Sequence, residues 1–218
     1  MRRKLLISLA VALVMLGAQA GGFAQALGRL TAPLDGAKSA LAETNLGDLV
    51  ADAMRAAGDA DFAFIQASAL QAVTVPAGDF DLGKARGMLV LPDEPIVVMR
   101  LEGARVKEAL ERSLALLPYP NKGFLQVSGL KVRFDPAAPA GARTQSIIPT
   151  FAQAPFDQNK TYRVAAPESL ARGGLGYFRV FNSARREKTD VTLIQALTRF
   201  IAAKSPLAPR VEGRIQAQ

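Results

Sequence analysis

The chain has 218 residues, no histidine, no cysteine and a formal charge of +8. Without imidazole or thiolate there is no serine–histidine–aspartate triad, no cysteine nucleophile and no zinc site of the usual nitrogen or sulfur type; a metal site built from carboxylates alone stays open. The charge excess falls to +5 once Arg2, Arg3 and Lys4 are set aside, with 24 basic residues facing 19 acidic ones. That balance is ordinary for a protein surface and argues weakly for a polyanion partner.

Those three cations precede a mostly apolar run from Leu5 to Leu16, followed by two A-x-A patterns, Ala18 to Ala20 and Ala24 to Ala26. A basic start, a short apolar middle and a small-residue exit describe a secretory signal peptide over 1–26, cleaved after Ala20 or, preferably, Ala26. The run is too short to span a bilayer. A periplasmic or secreted protein with no membrane span after cleavage is expected, held by its core and not by disulfides. A linker is expected over 27–37 and one domain over 38–218.

Leu46, Leu49, Val50, Ala53 and Met54 recur at helical spacing, which predicts a helix over 45–57 with Thr44 or Asn45 as its cap and Gly58 beyond its end. "DFAFIQ" (61–66) reads as a short strand, and 78–87 as a turn and short helix. "IVVMRLE" (96–102), rich in β-branched residues, suits a central strand. Gly103 breaks it, and Val106, Ala109, Leu110, Ser113, Leu114 and Leu117 mark an amphipathic helix. In "GLKVRFD" (129–135) Leu130, Val132 and Phe134 alternate with Lys131 and Arg133, as in a strand with one wet face.

Residues 136–160, with four prolines, read as an irregular connection or an exposed hairpin. "TYRVAAP" (161–167) is another strand. Asp190 is the expected cap of a last helix over 192–204, stopped by Pro206. "RVEGRIQ" (210–216) closes the chain as a strand with Val211 and Ile215 on one face. Helices and strands mix without a regular βαβ rhythm, so the predicted class is α+β, a single mixed-sheet domain with packed helices.

"LARGGLGY" (170–177) packs three glycines into four positions, which suits a tight turn or the close approach of a ligand. Arg172 beside Gly173 suits an anion at exposed N–H groups or a plain solvated arginine. Asp93 and Glu94, between Pro92 and Pro95, read as an exposed turn ahead of acid–base work. "YFRVFNSARREK" (177–188) interleaves aromatics with cations, but Phe178 and Phe181 are as well explained by a core, and no nucleic-acid partner is expected. Glu43 is expected to satisfy backbone donors near the helix start. The serines offer no G-x-S-x-G elbow.

Five stretches in order, "ETNLGDLVADAM" (43–54), "LP" (91–92) leading into "IVVMRLEGARVKEALERS" (96–113), "FLQVSGLKVRFD" (124–135), "YRVAAPESLARGGLGY" (162–177) and "VEGRI" (211–215), resemble the C-terminal domain of 5'-nucleotidases. That family joins this domain to a metallophosphatase domain that holds two metal ions and performs the hydrolysis. The resemblance implies a substrate cleft with two aromatic rings around the base, an acid on the ribose, and arginines with an asparagine. By that pattern the rings correspond to Asp93 and Ser169, the ribose acid to Leu175, and the asparagine-to-arginine turn to "QASALQ", with Gln66 and Gln71 at its ends. A further arginine corresponds to Ala40.

None of the expected nucleoside contacts is kept, whereas Glu43, Asn45, Gly47, Asp52, Gly173, Gly174, Gly176 and Gly213 look architectural. The degenerate-cleft candidates are therefore Gln66, Gln71, Asp93, Ser169 and Arg172, with no catalytic and no metal-binding residue. Two readings stand. In the first, an exported stand-alone domain, inactive alone, forms the substrate- or partner-binding half of a split nucleotide phosphohydrolase. Its di-metal cofactor then sits on a separately encoded metallophosphatase. The other reading is a binding or structural module of the cell envelope with no nucleotide ligand.

Overall fold

The computed structural model describes residues 26–151 and 154–218; the expected signal peptide, apart from Ala26, lies outside them. Residues 27–37 are not a linker. They form β1 (Gly28–Leu30) and β2 (Leu34–Asp35), with Leu30 and Leu34 fully buried. Strands of three and two residues are too short to display an alternation, so only the burial of these two leucines reveals them.

Helix α1 (Asn45–Ala57) starts where the Thr44 hydroxyl accepts the Gly47 N–H at 3.1 Å, and it buries the five expected apolar positions. After β3 (Phe62–Gln66), the short strands β4 (Thr74–Val75) and β5 (Gly78–Phe80) pair back onto β2 and β1. Asp81 then caps α2 (Leu82–Gly87), its carboxylate accepting the Lys84 N–H at 2.8 Å. Strand β6 (Pro95–Glu102) runs into α3 (Gly103–Leu114).

β7 (Leu125–Ser128), β8 (Leu130–Phe134) and β9 (Thr144–Pro149) follow, so the proline-rich connection is in part a hairpin arm against β8. β10 (Thr161–Pro167) leads through the short helices α4 (Glu168–Ala171) and α5 (Phe178–Phe181) to β11 (Arg185–Thr192), α6 (Leu193–Lys204) and β12 (Ile215–Ala217).

The main sheet has the order β11–β6–β10–β3–β7, with β10 and β3 parallel and the other pairs antiparallel; β12–β8–β9 forms a second sheet. Both faces of the main sheet are covered. On β3, Ala63 and Ile65 join the core packed with α1 and α6, while Phe62 and Phe64 join the core under α3 and α5. Burial on both sides explains why this strand reads as a continuous apolar run.

The C-terminal end departs from the expected pattern. The edge strand β11 carries Arg185, Arg186, Glu187 and Lys188, an edge kept charged, so no apolar pattern betrays it. The α6 cap is Thr192 in a capping box with Gln195; Asp190 instead takes a left-handed φ of 54° in the irregularity of β11. Val211 is exposed and only Ile215–Ala217 is strand. Phe181 lies in the core as expected, but Phe178 is exposed.

Candidate functional site

The loop before β6 and the end of β10 with α4 enclose an open cleft of about 520 Å³, lined by Leu91, Pro92, Asp93, Glu94, Pro95, Glu168, Ser169 and Arg172. Asp93, Ser169 and Arg172 all lie along it. Gln66 reaches the site indirectly, its amide donating to the Ser169 hydroxyl at 3.3 Å. Gln71 is outside the lining; it is exposed, and its backbone N–H donates to the Met88 carbonyl. The 3-10 turn Ala67–Ala69 separates the two glutamines, so the ends of "QASALQ" do not share a wall.

Each carboxylate at the cleft already has a partner. Arg86 meets both Asp93 oxygens at 3.2 and 3.3 Å, Glu94 accepts the Ser169 N–H at 2.8 Å, and Arg172 pairs with Glu168 at 2.7 Å. The hydrogen bond from Arg172 holds the Glu168 carboxyl below the usual carboxylate range. The site therefore offers leucine and proline walls with fixed ion pairs, and no free acid–base pair among its lining residues. Glu94, which reads from sequence as part of an exposed turn, holds the backbone of Ser169. Its acceptor role needs the fold, because Glu94 and Ser169 lie 75 residues apart.

The glycine loop is a structural turn. Gly173 has φ 93°, and a Cβ there would collide with the Phe178 backbone; Gly176 has φ 85° and lies against the Arg112 guanidinium. Arg112 donates to the Leu175 carbonyl at 2.9 Å, and the buried Tyr177 hydroxyl donates to the Gly123 carbonyl at 2.7 Å. Leu175 itself sits in the left-handed region, φ 59° and ψ 28°, with its side chain 38% exposed. A Cβ costs ~1–2 kcal/mol there. Leu175→Gly is accordingly expected to raise stability by about 1 kcal/mol in urea unfolding, despite glycine's greater freedom in the unfolded chain. A destabilised variant would show that leucine packing on the loop outweighs the backbone strain.

A second polar cluster escaped the sequence reading because its members are far apart in the chain. Arg214, 7% exposed, grips both oxygens of Asp52 at 2.8 Å and donates to the Val127 carbonyl at 2.8 Å and to Glu212 at 3.0 Å. Glu43 does satisfy backbone donors, but not at the helix start. Its oxygens accept the N–H groups of Glu212 and Ile215 at 2.7 and 2.9 Å, tying the C-terminal segment down.

Asp48, one turn ahead of Asp52, is buried with no donor on either oxygen, and Arg214 Nε lies 3.6 Å away. Burial pushes its carboxyl up to about 9 against the pull of Arg214, and Glu43 beside it favours the protonated form further. The folded state thus holds a proton that the unfolded chain releases near the ordinary aspartate value of 3.8. Stability from this group is full below that value and is lost as pH rises towards 9. Asp48→Asn, which mimics the neutral acid, is expected to flatten the decline of melting temperature between pH 5 and 9. An unchanged profile would mean that Asp48 is ionised throughout.

Among the described residues no set of three histidine, cysteine, aspartate or glutamate side chains is placed to hold a metal ion. The carboxylates of buried Glu43 and half-buried Asp52 are bonded to backbone N–H groups and to Arg214, so the residues present do not fit a di-metal centre. No described helix is long and apolar enough to cross a membrane.

A family model described as "5'-nucleotidase, C-terminal domain" matches residues 22–183. The 5'-nucleotidase-related protein of Glossina morsitans morsitans is 34% identical over 164 residues, 72% of this chain and 29% of that protein. The snake venom 5'-nucleotidase of Macrovipera lebetinus is 26% identical over 216 residues, 88% of this chain and 52% of its own length. The crystal structure of a 5'-nucleotidase precursor from Thermus thermophilus superposes with a TM-score of 0.81 at 28% identity. That match covers 88% of this chain and 39% of the other. The chain therefore spans well under two thirds of each of these relatives.

Proposed function

The chain belongs to the family of 5'-nucleotidase C-terminal domains, and from that premise we propose that it is an exported, non-catalytic half of a split nucleotide phosphohydrolase. It presents the cleft at Asp93, Ser169 and Arg172 to a metallophosphatase supplied by another polypeptide. The observation that carries this reading is the pairing of an intact family scaffold with a cleft whose carboxylates are all engaged.

The missing rings also argue against tight nucleotide binding by this chain alone. Stacking a base on an aromatic side chain contributes roughly 1–3 kcal/mol. Two absent rings and one absent charge-assisted hydrogen bond remove about 4–8 kcal/mol, on the order of a thousandfold or more in affinity. The metal chemistry of hydrolysis, polarising the phosphoryl group and activating water, belongs to the partner.

The purified chain is expected to release no phosphate from AMP with added manganese or zinc. Co-purification from the native envelope is expected to recover a di-metal phosphatase whose AMP hydrolysis rises when the chain is added. Chelator-sensitive turnover by the chain alone, or its isolation as a lone monomer with no effect on such an enzyme, overturns the reading. One observation favours a second reading, an envelope binding module with another ligand: Arg86–Asp93 and Arg172–Glu168 ion pairs rim the cleft where rings would stand.

A further inference from the structure

A separate crevice of about 500 Å³ shares no residue with the cleft. Its walls bring together Arg55 from α1, Lys131 from β8, Lys204 at the end of α6, and Arg214, with Asp52 and Glu212. Four cations thus face two carboxylates, a surplus of two positive charges. The carboxylates do not compensate the rest. Both Asp52 oxygens bond Arg214, one also accepting the Ser128 hydroxyl at 2.5 Å, and Glu212 likewise pairs with Arg214.

Arg55 donates its Nε to Ser128 Oγ at 2.9 Å, and its stem lies across Gly129, where a Cβ would come within 3.1 Å of Arg55 Cδ. The left-handed φ of 85° at Gly129, between β7 and β8, fixes that wall. The two terminal nitrogens of Arg55, and the ammonium groups of Lys131 and Lys204, meet no acceptor among the described residues. Thr150 adds a hydroxyl and Phe200 a ring to the walls.

We propose that this crevice binds a phosphate group, either inorganic phosphate or a small phosphomonoester. The guanidinium of Arg55 is a fork that matches two oxygens of a tetrahedral anion, with its Nε already anchored by Ser128. Lys131 and Lys204 supply point charges from two other elements, and the anion offsets their mutual repulsion. The volume admits a phosphomonoester with its organic part along Phe200. Nothing in this depends on whether the other cleft binds nucleotide.

The test is calorimetric titration and thermal shift of the full chain with inorganic phosphate and with glycerol 3-phosphate, at constant ionic strength set by chloride. Saturable binding is expected, weakened at least about tenfold by Arg55→Met and by Lys131→Met combined with Lys204→Met. Tighter binding of glycerol 3-phosphate assigns the site to esters, and equal binding assigns it to the free ion. The lysine pair keeps the test sound if loss of the Ser128 contact unfolds Arg55→Met. A shift no larger than chloride produces, or unweakened binding in the lysine pair variant, overturns the proposal.

Discussion

Arg214→Met is expected to lower the unfolding free energy by about 3–5 kcal/mol, the usual cost of removing one partner of a buried ion pair. The methionine fills much of the volume but leaves the half-buried Asp52 without its two 2.8 Å bonds and strips the Val127 carbonyl of a donor. It also removes the cation that faces Asp48 at 3.6 Å, driving that carboxyl further towards its protonated form. The loss should be local first. The segment after α6 is held by Arg214 and by the two N–H groups on Glu43, so limited proteolysis is expected to cut within 205–218 before global unfolding.

Arg214→Lys keeps the charge without the fork and should fall between wild type and methionine. Arg29→Met, whose pair with Asp79 is solvent-exposed on both sides, serves as the unaffected control. Urea unfolding that places Arg214→Met within about 1 kcal/mol of wild type would sink the idea that this ion pair fastens the C-terminal segment.

Asp93→Tyr combined with Ser169→Phe is expected to create measurable AMP binding, with affinity at least about thirtyfold above wild type. Two stacked rings contribute roughly 2–6 kcal/mol together, and about 2 kcal/mol already corresponds to about thirtyfold. The substitutions cost little in the protein. Asp93 is 69% exposed and its pair with Arg86 is a surface one, while Ser169 gives up a single 3.3 Å bond from Gln66. The backbone bond from Ser169 N–H to Glu94 does not depend on the side chain and should keep the second ring in place. Titration with AMP, adenosine and ribose 5-phosphate separates stacking from phosphate contacts: adenosine should gain as much as AMP, and ribose 5-phosphate nothing. Equal, undetectable binding of all three would show that these two positions do not frame a base in this chain.

The apolar pattern was readable wherever a long element buries one or two full faces. Helix α1 and strands β3, β6, β8 and β10 occupy the expected stretches because leucine, valine and phenylalanine recur with the period of the element. The pattern failed where few side chains are buried or where the edge is kept charged. β1 and β2 are too short to alternate, and β11 is an arginine- and lysine-bearing edge. At the cleft, Asp93, Ser169 and Arg172 were named together only through the family resemblance, and Gln71 could not be excluded until the turn after β3 was seen.

The sequence by itself determined the class of chemistry open to this protein: without a histidine or a cysteine it carries no triad, no thiolate and no zinc centre of the usual kind. It also determined the long elements, since residue identity and local spacing are properties of the chain itself. Only the tertiary structure decided which charges meet. Arg214 finds Asp52 across 162 positions and Glu43 finds the backbone of Ile215 across 172, while Arg55, Lys131 and Lys204 reach one crevice from three separate elements. The physical reason is that a hydrogen bond or an ion pair depends on distance in space, and no periodicity along the chain encodes which distant polar groups packing will bring within about 3 Å.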